Sequence, residues 1–312
     1  MPLYLAIDAG GTKTHCLLAD DTHILARASA ATIKLMRVSE QEATARLQAM
    51  LKEVASAANV SLGGVTRTCF GLAGISSPAV QTWAHQVILA MVAGELLLVG
   101  DEEIALDAAF PGAAGILVIA GTGSNIIGRN STGKLFGAGG WGPVLGDEGS
   151  GYWIGLEAIR AALRAQDRIG LDGISSCLLR DIEVHWQLHS LAELVAMANQ
   201  RTGLRRPAPD FATLAPVVAD CAKRGDALAA RVLERAGEEL AAQITLVCHK
   251  MTAADSQPAP EIGVAYTGSV LSQIPPVRTA MIARLAASLP TAQVHETPVD
   301  PLEGALWRAR HP

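Results

Sequence analysis

Two short glycine turns hold many of the residues that could do chemistry. The first turn joins two apolar runs, residues 3–8 and 15–19. Glycine lets a backbone approach a phosphate without interference from a Cβ, and turn N–H groups can point at the anion. A tight hairpin with a surface lysine explains the segment equally well. The candidate phosphate ligands are Asp8, Gly10, Gly11, Thr12, Lys13 and Thr14.

The second turn follows the apolar run 116–120 and has the same character. Its candidate phosphate ligands are Gly121, Thr122, Gly123 and Ser124. One glycine hairpin is weak evidence for a phosphate site, but two in one chain could bind a polyphosphate from both sides. A third turn, Gly268-Ser269, links an apolar run to a predicted helix. That arrangement suits backbone contact with the base or ribose of a nucleotide, and it suits any strand-to-helix connection.

Asp101 ends the apolar run 96–100 and is a candidate general base. A carboxylate there can take the proton of a substrate hydroxyl during phosphoryl transfer. Glu102, Glu103 and Asp107 are rivals on composition alone. If a helix begins at Asp101, all four acids could simply favour its N-terminus. Asp8 and Asp101 are the candidate ligands for Mg²⁺, held through water.

The segment 137–151 is rich in glycine and contains Trp141, Asp147 and Glu148. A tryptophan offers a flat apolar face to a sugar ring, and carboxylates accept hydrogen bonds from hydroxyls. A flexible linker would not need the tryptophan, so we favour a binding site. A formal match to the dinucleotide fingerprint is rejected, because Pro143 and more glycines follow where a helix should begin. His185 and His189 have zinc-ligand spacing, but we find no third ligand beside them.

The supporting elements alternate between strands and helices, which predicts an α/β fold in two domains. Strand, glycine turn and strand occur twice, which suggests an internal repeat. Ser39 and Glu42 fit a capping box that would begin one helix, and a long helix is predicted from about Asp226. Residues 201–209 are predicted to form a loop.

Composition excludes several classes of protein. The chain has 312 residues and a net charge of −5, with few aromatic residues, which argues against nucleic acid as a partner. The five cysteines are widely spaced and form no C-x-x-C pair, a pattern typical of reduced, cytoplasmic proteins. Neither a signal peptide nor a membrane-spanning stretch is predicted.

These motifs together resemble a known family. DAGGTKT, AGTGSN, GGWGPVLGDEGSGYWIG, TGSVL and PLEGAL occur in the order found in the BadF/BadG/BcrA/BcrD ATPase family, and most resemble its N-acetylglucosamine and glucosamine kinases. The resemblance implies the fold of sugar kinases, actin and heat-shock ATPases, with two ribonuclease H-like domains around an ATP cleft. The expected domains are residues 1–112 completed by 296–312, and residues 113–295.

The resemblance also implies roles. Asp101 would be the catalytic base, both hairpins would hold the phosphates of ATP with Mg²⁺, and Gly268 and Ser269 would contact adenosine. The sugar site would comprise Thr122, Gly140, Trp141 and Asp147. The expected activity is transfer of the γ-phosphoryl group to the 6-hydroxyl of N-acetylglucosamine.

Several alternatives stay open at this point. Residues 30–37 lack the asparagine that contacts the sugar in N-acetylglucosamine kinases, so a glucosamine kinase is one of them. An ATPase that activates a partner enzyme and a sugar-sensing regulator are others. The sequence is compatible with both a homodimer and a monomer.

Overall fold

The computed structural model describes residues 1–168, 176–199, 210–255 and 261–311. The predicted loop 201–209 lies outside them. The chain packs as two compact units. The first comprises Met1–Leu117, Ile127–Leu135 and Val299–Pro312, and the second comprises Val118–Ile126 and Phe136–Pro298.

The first sheet has the strand order β3-β2-β1-β4-β5. Strands β1, β2 and β3 pair antiparallel, whereas β4 runs parallel to both β1 and β5. The elements of this part are β1 Leu3–Ala9, β2 Lys13–Ala19, β3 Ile24–Ala31, α1 Glu40–Ala58, β4 Val65–Leu72, α2 Pro78–Leu89, β5 Glu95–Val99 and α3 Asp101–Ala109. The predicted hairpin and its glycine turn are therefore confirmed as β1 and β2.

The second sheet has the order β10-β9-β6-β7-β8. Its strands are β6 Gly115–Ala120, β7 Ser124–Arg129, β8 Leu135–Gly139, β9 Ile262–Thr267 and β10 Ala292–Val294. The helices that accompany it are α4 Gly151–Asp167, α5 Leu178–His185, α6 Leu191–Ala198, α7 Ala215–Lys223, α8 Ala227–Ala254, α9 Ser269–Gln273 and α10 Pro275–Ser288. Short 3₁₀ helices lie at Leu62–Gly64 and Phe211–Leu214.

The two sheets share one strand order. Reversed, the second order becomes β8-β7-β6-β9-β10, which matches the first strand for strand. Each sheet thus begins with a glycine-turn hairpin, β1 to β2 in one and β6 to β7 in the other. This confirms the internal repeat predicted from the sequence, and it places both glycine turns at equivalent positions.

Helix boundaries follow local capping chemistry. The Ser39 side chain accepts a hydrogen bond from the Glu42 backbone N–H at 3.2 Å, so α1 begins where the capping box predicted. Asp226 caps α8 in the same way through the N–H of Ala229, at 3.0 Å. A stripe of buried side chains along α8, including Leu240 and Ile244, packs into the core of the second unit.

The C-terminal helix α11, Pro301–Arg310, belongs to the first unit and packs on α3. Their backbones are so close that a Cβ on Gly304 would lie 1.8 Å from the Ile104 carbonyl oxygen. The carboxylate of Asp107, which is fully buried, receives hydrogen bonds from Arg129 at 2.6 Å and from Arg308. Helix α3 is therefore fixed from both sides.

Within the described part of the chain, no helix is long and apolar enough to cross a membrane.

Candidate active site

Two of the predicted residues lie at the carboxyl edge of the first sheet. Asp8 pairs with Gly71 across β1 and β4, and Gly71 pairs with Val99 across β4 and β5. Because these three strands are parallel, their ends meet at one edge. Helix α3 begins two residues after Val99, at Asp101. The register therefore brings Asp8 and Asp101 to the same edge.

Both carboxyl groups have strongly raised pKa values. Burial raises the pKa of Asp8 to about 7, and the charge of Asp300 adds to this. Burial, a hydrogen bond with Glu102 and the charge of Asp8 raise the pKa of Asp101 to about 8, while Lys34 acts in the opposite direction. Such values suit proton exchange near neutral pH, and acids perturbed in this way often mark functional sites.

The rivals of Asp101 are engaged elsewhere. Glu103 accepts hydrogen bonds from the Gly100 N–H at 3.4 Å and from Arg308 at 3.3 Å. Asp107 is fully buried and bonded to Arg129 and Arg308. Both residues therefore serve to fix α3. This leaves Asp101 and Glu102, which are hydrogen-bonded to each other, as the candidate bases at this edge.

The first glycine turn is held by Thr32. The Thr32 N–H donates to the Thr12 carbonyl at 3.1 Å, and its hydroxyl donates to the Gly10 carbonyl at 3.2 Å. A Cβ on Gly11 would meet no atom within 4 Å, so the protein leaves the space beside this residue open. Lys13 and Thr12 are exposed.

Thr14 differs from the other predicted ligands of this turn. It is fully buried in β2, and its hydroxyl has no hydrogen-bond partner among the described residues. The hydroxyl is therefore not presented to solvent, whereas Gly10, Gly11, Thr12 and Lys13 are at least partly exposed.

The second glycine turn anchors the start of α4. The Gly121 carbonyl accepts from the Gly151 N–H at 2.8 Å, and the Thr122 carbonyl accepts from the Tyr152 N–H at 3.2 Å. Ser124 is buried, and its hydroxyl donates to the Glu148 carbonyl at 2.9 Å. Ser124 thus braces the glycine-rich segment, while Gly121, Thr122 and Gly123 remain partly exposed.

A cavity of about 180 Å³ in the second unit joins two predicted nucleotide motifs. Gly121 and Thr122 line it together with Ser269, and α7 contributes Asp220 and Lys223. The remaining lining residues are Gly151, Ala212, Ala215, Pro216, Ala219, Val270, Gln273 and Ile274. The turn residues lie close together, since a Cβ on Gly121 would stand 3.9 Å from the Ser269 backbone nitrogen.

The glycine-rich segment is organised around Asp147. This residue has a left-handed φ of 58° and is 6% exposed, and its Oδ1 accepts from the Gly142 N–H at 3.1 Å. A Cβ on Gly123 would lie 2.7 Å from Asp147 Oδ2, so the segment packs directly on the second turn. Asp147 therefore shapes the segment, whereas Trp141 is 76% exposed.

Sequence reasoning missed several residues here. The charge of Asp300 raises the pKa of Asp8, and the charge of Lys34 lowers the pKa of Asp101. Helix α7 forms a wall of the cavity. Asp300 also caps α11, because its Oδ1 accepts from the Leu302 N–H at 3.1 Å. The pair Asp300-Pro301, which includes the first residue of PLEGAL, signals a helix start, but it does not signal proximity to Asp8.

The sequence matches one protein family over nearly its whole length. Residues 5–307 match the model of the BadF/BadG/BcrA/BcrD ATPase family. The chain belongs to this family. The fold and the family resemblance expected from the sequence are thereby confirmed.

Two characterised relatives extend the BadF/BadG/BcrA/BcrD comparison. An N-acetylmuramic acid/N-acetylglucosamine kinase from Clostridium acetobutylicum is 33% identical over 242 residues, which is 77% of each chain. An N-acetyl-D-glucosamine kinase from Dictyostelium discoideum is 27% identical over an alignment that covers 98% of this chain and 97% of the relative.

Solved structures share the fold of this family member. A candidate N-acetylglucosamine kinase from Chromobacterium violaceum has a TM-score of 0.73 at 25% identity, with 98% of each chain covered. A ROK family glucokinase from Streptomyces griseus, solved with glucose and AMPPNP, has a TM-score of 0.57 at 15% identity, with 99% and 100% covered. The chain therefore has the sugar kinase fold.

Proposed function

We propose that this protein is an ATP-dependent kinase that transfers the γ-phosphoryl group to the 6-hydroxyl of N-acetylglucosamine. The observation that carries the proposal is the position of Asp101, which lies with Asp8 at the carboxyl edge of the first sheet. Both characterised relatives described above phosphorylate N-acetylated sugars by their names, which favours the acetylated sugar over glucosamine.

Asp101 would act as the general base. Its carboxylate accepts the proton of the acceptor hydroxyl as that oxygen bonds to the γ-phosphorus, and the bond to the β-phosphate oxygen breaks to release ADP. A positioned base of this kind contributes about 10²–10⁴ in rate. In the ligand-free protein the raised pKa of about 8 keeps Asp101 mostly protonated at neutral pH, so its base form is more abundant in mildly alkaline solution.

The nucleotide would occupy the cavity of the second unit. The Gly268-Ser269 turn and α7 supply walls for the adenosine, and the Gly121-Thr122 turn offers backbone to the phosphates. Lys13 of the first turn is exposed and would supply a positive charge to a phosphate group.

Asp8 and Asp101 fit a magnesium ion. Their donor atoms are oxygens, which Mg²⁺ prefers. Burial is the main cause that raises the pKa of each, and neighbouring negative charge, which a cation would offset, adds to it. When bound, Mg²⁺ neutralises charge on the transferring phosphoryl group. Asp8 and Asp101 would bind Mg²⁺ either directly or through water molecules.

The sugar would contact the glycine-rich segment. Trp141 offers an exposed ring face, and Gly140, which has a left-handed φ of 71°, is exposed beside it. Thr122 and Asp147 complete the proposed contacts. Asp147 is bonded through Oδ1 to the Gly142 N–H, so it also holds the segment in shape around the proposed sugar site.

A coupled ADP-release assay with Mg-ATP tests the proposal. The panel comprises N-acetylglucosamine, N-acetylmuramic acid, glucosamine, N-acetylmannosamine, glucose and a sugar-free control. The expected result is strong stimulation by N-acetylglucosamine, with the 6-phosphate identified by NMR. A higher rate with glucosamine would identify glucosamine as the substrate instead. An ATP hydrolysis rate that does not depend on any sugar would favour a partner-activating ATPase.

A further inference from the structure

Two cysteines, an aspartate and an arginine form a compact group in the second unit. Cys177 precedes α5, Asp181 lies within α5, and Cys221 lies in α7. The sulfur atoms of both cysteines and a carboxylate oxygen of Asp181 all lie within 4.8 Å of one another. We propose that Cys177 and Cys221 form a reversible disulfide, and that its formation weakens nucleotide binding in the adjacent cavity.

Arg224 holds the two sulfurs together. Its Nη2 donates to Cys177 Sγ at 3.4 Å and to Cys221 Sγ at 3.2 Å, and it also donates to the Asp181 carboxylate. The guanidinium therefore contacts every potential metal ligand of the group. A divalent cation would have to displace it, so the arrangement favours thiol chemistry over metal binding.

The two thiols differ in access. Cys177 is partly exposed, whereas Cys221 is fully buried. Burial raises the pKa of Cys221 to about 12, and hydrogen bonds with Cys177 and Asp181 add to this. An oxidant in solution therefore reaches Cys177 first, and Cys221 is the resolving thiol.

The chemistry balances with a peroxide as oxidant. The Cys177 sulfur attacks one oxygen of hydrogen peroxide, the O–O bond breaks, and the departing hydroxide takes the thiol proton as water. Cys177 is then a sulfenic acid. The Cys221 sulfur attacks the Cys177 sulfur, the S–O bond breaks, and the oxygen leaves as a second water with the Cys221 proton. Asp181 Oδ2 accepts the Cys221 S–H at 3.3 Å and is placed to relay that proton.

Helix α7 connects this dithiol pair to the nucleotide cavity. Cys221 directly follows Asp220 and precedes Lys223 by two residues, and both of these line the cavity. Closing a disulfide brings the sulfurs to about 2.05 Å and breaks the Arg224 contacts, which shifts α7. This part of the inference rests on the proposed function, because it takes ATP as the ligand of the cavity.

Peptide mapping tests the disulfide. The reduced protein is treated with hydrogen peroxide, its remaining thiols are alkylated, and its disulfide-linked peptides are identified by mass spectrometry. We expect a Cys177–Cys221 linkage that dithiothreitol reverses and that Cys177→Ser and Cys221→Ser abolish. Cys248→Ser, at a buried cysteine outside the group, is the matched control and should keep the linkage. Sulfinic acid at Cys177 with Cys221 still reduced would overturn the proposal, as would protection of both thiols by tightly bound zinc.

Calorimetric titration with AMPPNP tests the link to the cavity. We expect oxidised wild-type protein to bind about threefold or more weakly than reduced protein, with recovery after reduction. Cys177→Ser, whose partly exposed site tolerates the change, should bind equally in both conditions. A disulfide that leaves the Kd unchanged would overturn the coupling. Failure of reduced protein to bind AMPPNP would instead count against the proposed function, and would leave the disulfide result standing.

Discussion

Gly71 and the side chain of Ile104 are packed so tightly that a Cβ on Gly71 would lie 2.2 Å from Ile104 Cδ1. Gly71 sits in β4 beside Asp8, and Ile104 lies one helical turn after Asp101 in α3. Because Ile104 is fully buried, it has little room to yield. The missing side chain at Gly71 is therefore what lets α3 lie on the sheet and present Asp101 at its edge.

Gly71→Ala should consequently displace α3 and lower kcat by about tenfold, since misplacement of a catalytic group by a fraction of an ångström is costly. The Kd for ATP should be unchanged, because the proposed nucleotide cavity belongs to the other unit. Steady-state kinetics and nucleotide titration measure the two effects. Gly64→Ala is the control, as its Cβ would meet Leu3 Cδ1 at an ordinary 3.7 Å. Equal kcat in both variants would refute the packing argument.

Gly268→Ala should abolish most nucleotide binding. The residue has a φ of 98°, and a Cβ would lie 2.4 Å from the Ala120 carbonyl oxygen, which precedes the Gly121 turn. Relieving that clash moves the two turns apart. Gly225→Ala separates clash from backbone strain, because Gly225 has a φ of 88° with no atom within 4 Å of its Cβ position. Strain alone should cost about 1–2 kcal/mol of stability. Similar ATP affinities in the two variants would contradict the prediction.

Asp101→Asn should stabilise the ligand-free protein at alkaline pH. The folded-state pKa of Asp101 is raised from 3.8 to about 8, so between these values the folded protein binds a proton that the unfolded chain releases. Stability of the wild type therefore falls as pH rises through this window, and asparagine removes that dependence. At pH 8 the Tm of the variant should exceed that of the wild type by a few degrees, and the gap should close near pH 4. Calorimetry without Mg²⁺ or nucleotide measures it, with exposed Glu53→Gln as control. A gap that does not change with pH would show that Asp101 ionises normally.

Trp141→Ala should raise the KM for the sugar while the Kd for ATP changes little. The side chain is 76% exposed, so its removal leaves the core intact. Initial-rate kinetics and nucleotide titration measure the two constants. Val144→Ala, at a neighbouring residue that is 87% exposed, is the control. Parallel loss of both affinities would indicate that Trp141 supports the segment rather than the sugar.

The sequence predicted the parts of this molecule that depend on local pattern. The two glycine hairpins, the Ser39 cap of α1 and the Asp226 cap of α8 all lie where turn and capping chemistry put them. The repeat was also visible, because equivalent hairpins leave equivalent glycine turns. The position of Asp101 at the start of α3 followed from an apolar strand that ends in an acid.

Other features depend on contacts between distant residues and leave little local trace. Asp300 approaches Asp8 only because α11 returns to the first unit, and Arg224 meets Cys177 across 47 residues of sequence. The burial of Thr14 was missed for a similar reason, since its hydroxyl resembles a phosphate ligand until the strand partners are known. These contacts and the burial of Thr14 become apparent only once the strand pairing and the packing of the helices are known.

The most direct test of the account compares wild-type protein with Asp101→Asn at saturating Mg-ATP and N-acetylglucosamine, with ADP and sugar phosphate measured together. Wild-type protein should form the two products in equal amounts. The variant should turn over about 10²–10⁴ times more slowly while its Kd for ATP stays close to that of the wild type. Near-wild-type formation of sugar phosphate by Asp101→Asn would contradict the assignment of Asp101 as the base, and with it the mechanism proposed for this protein.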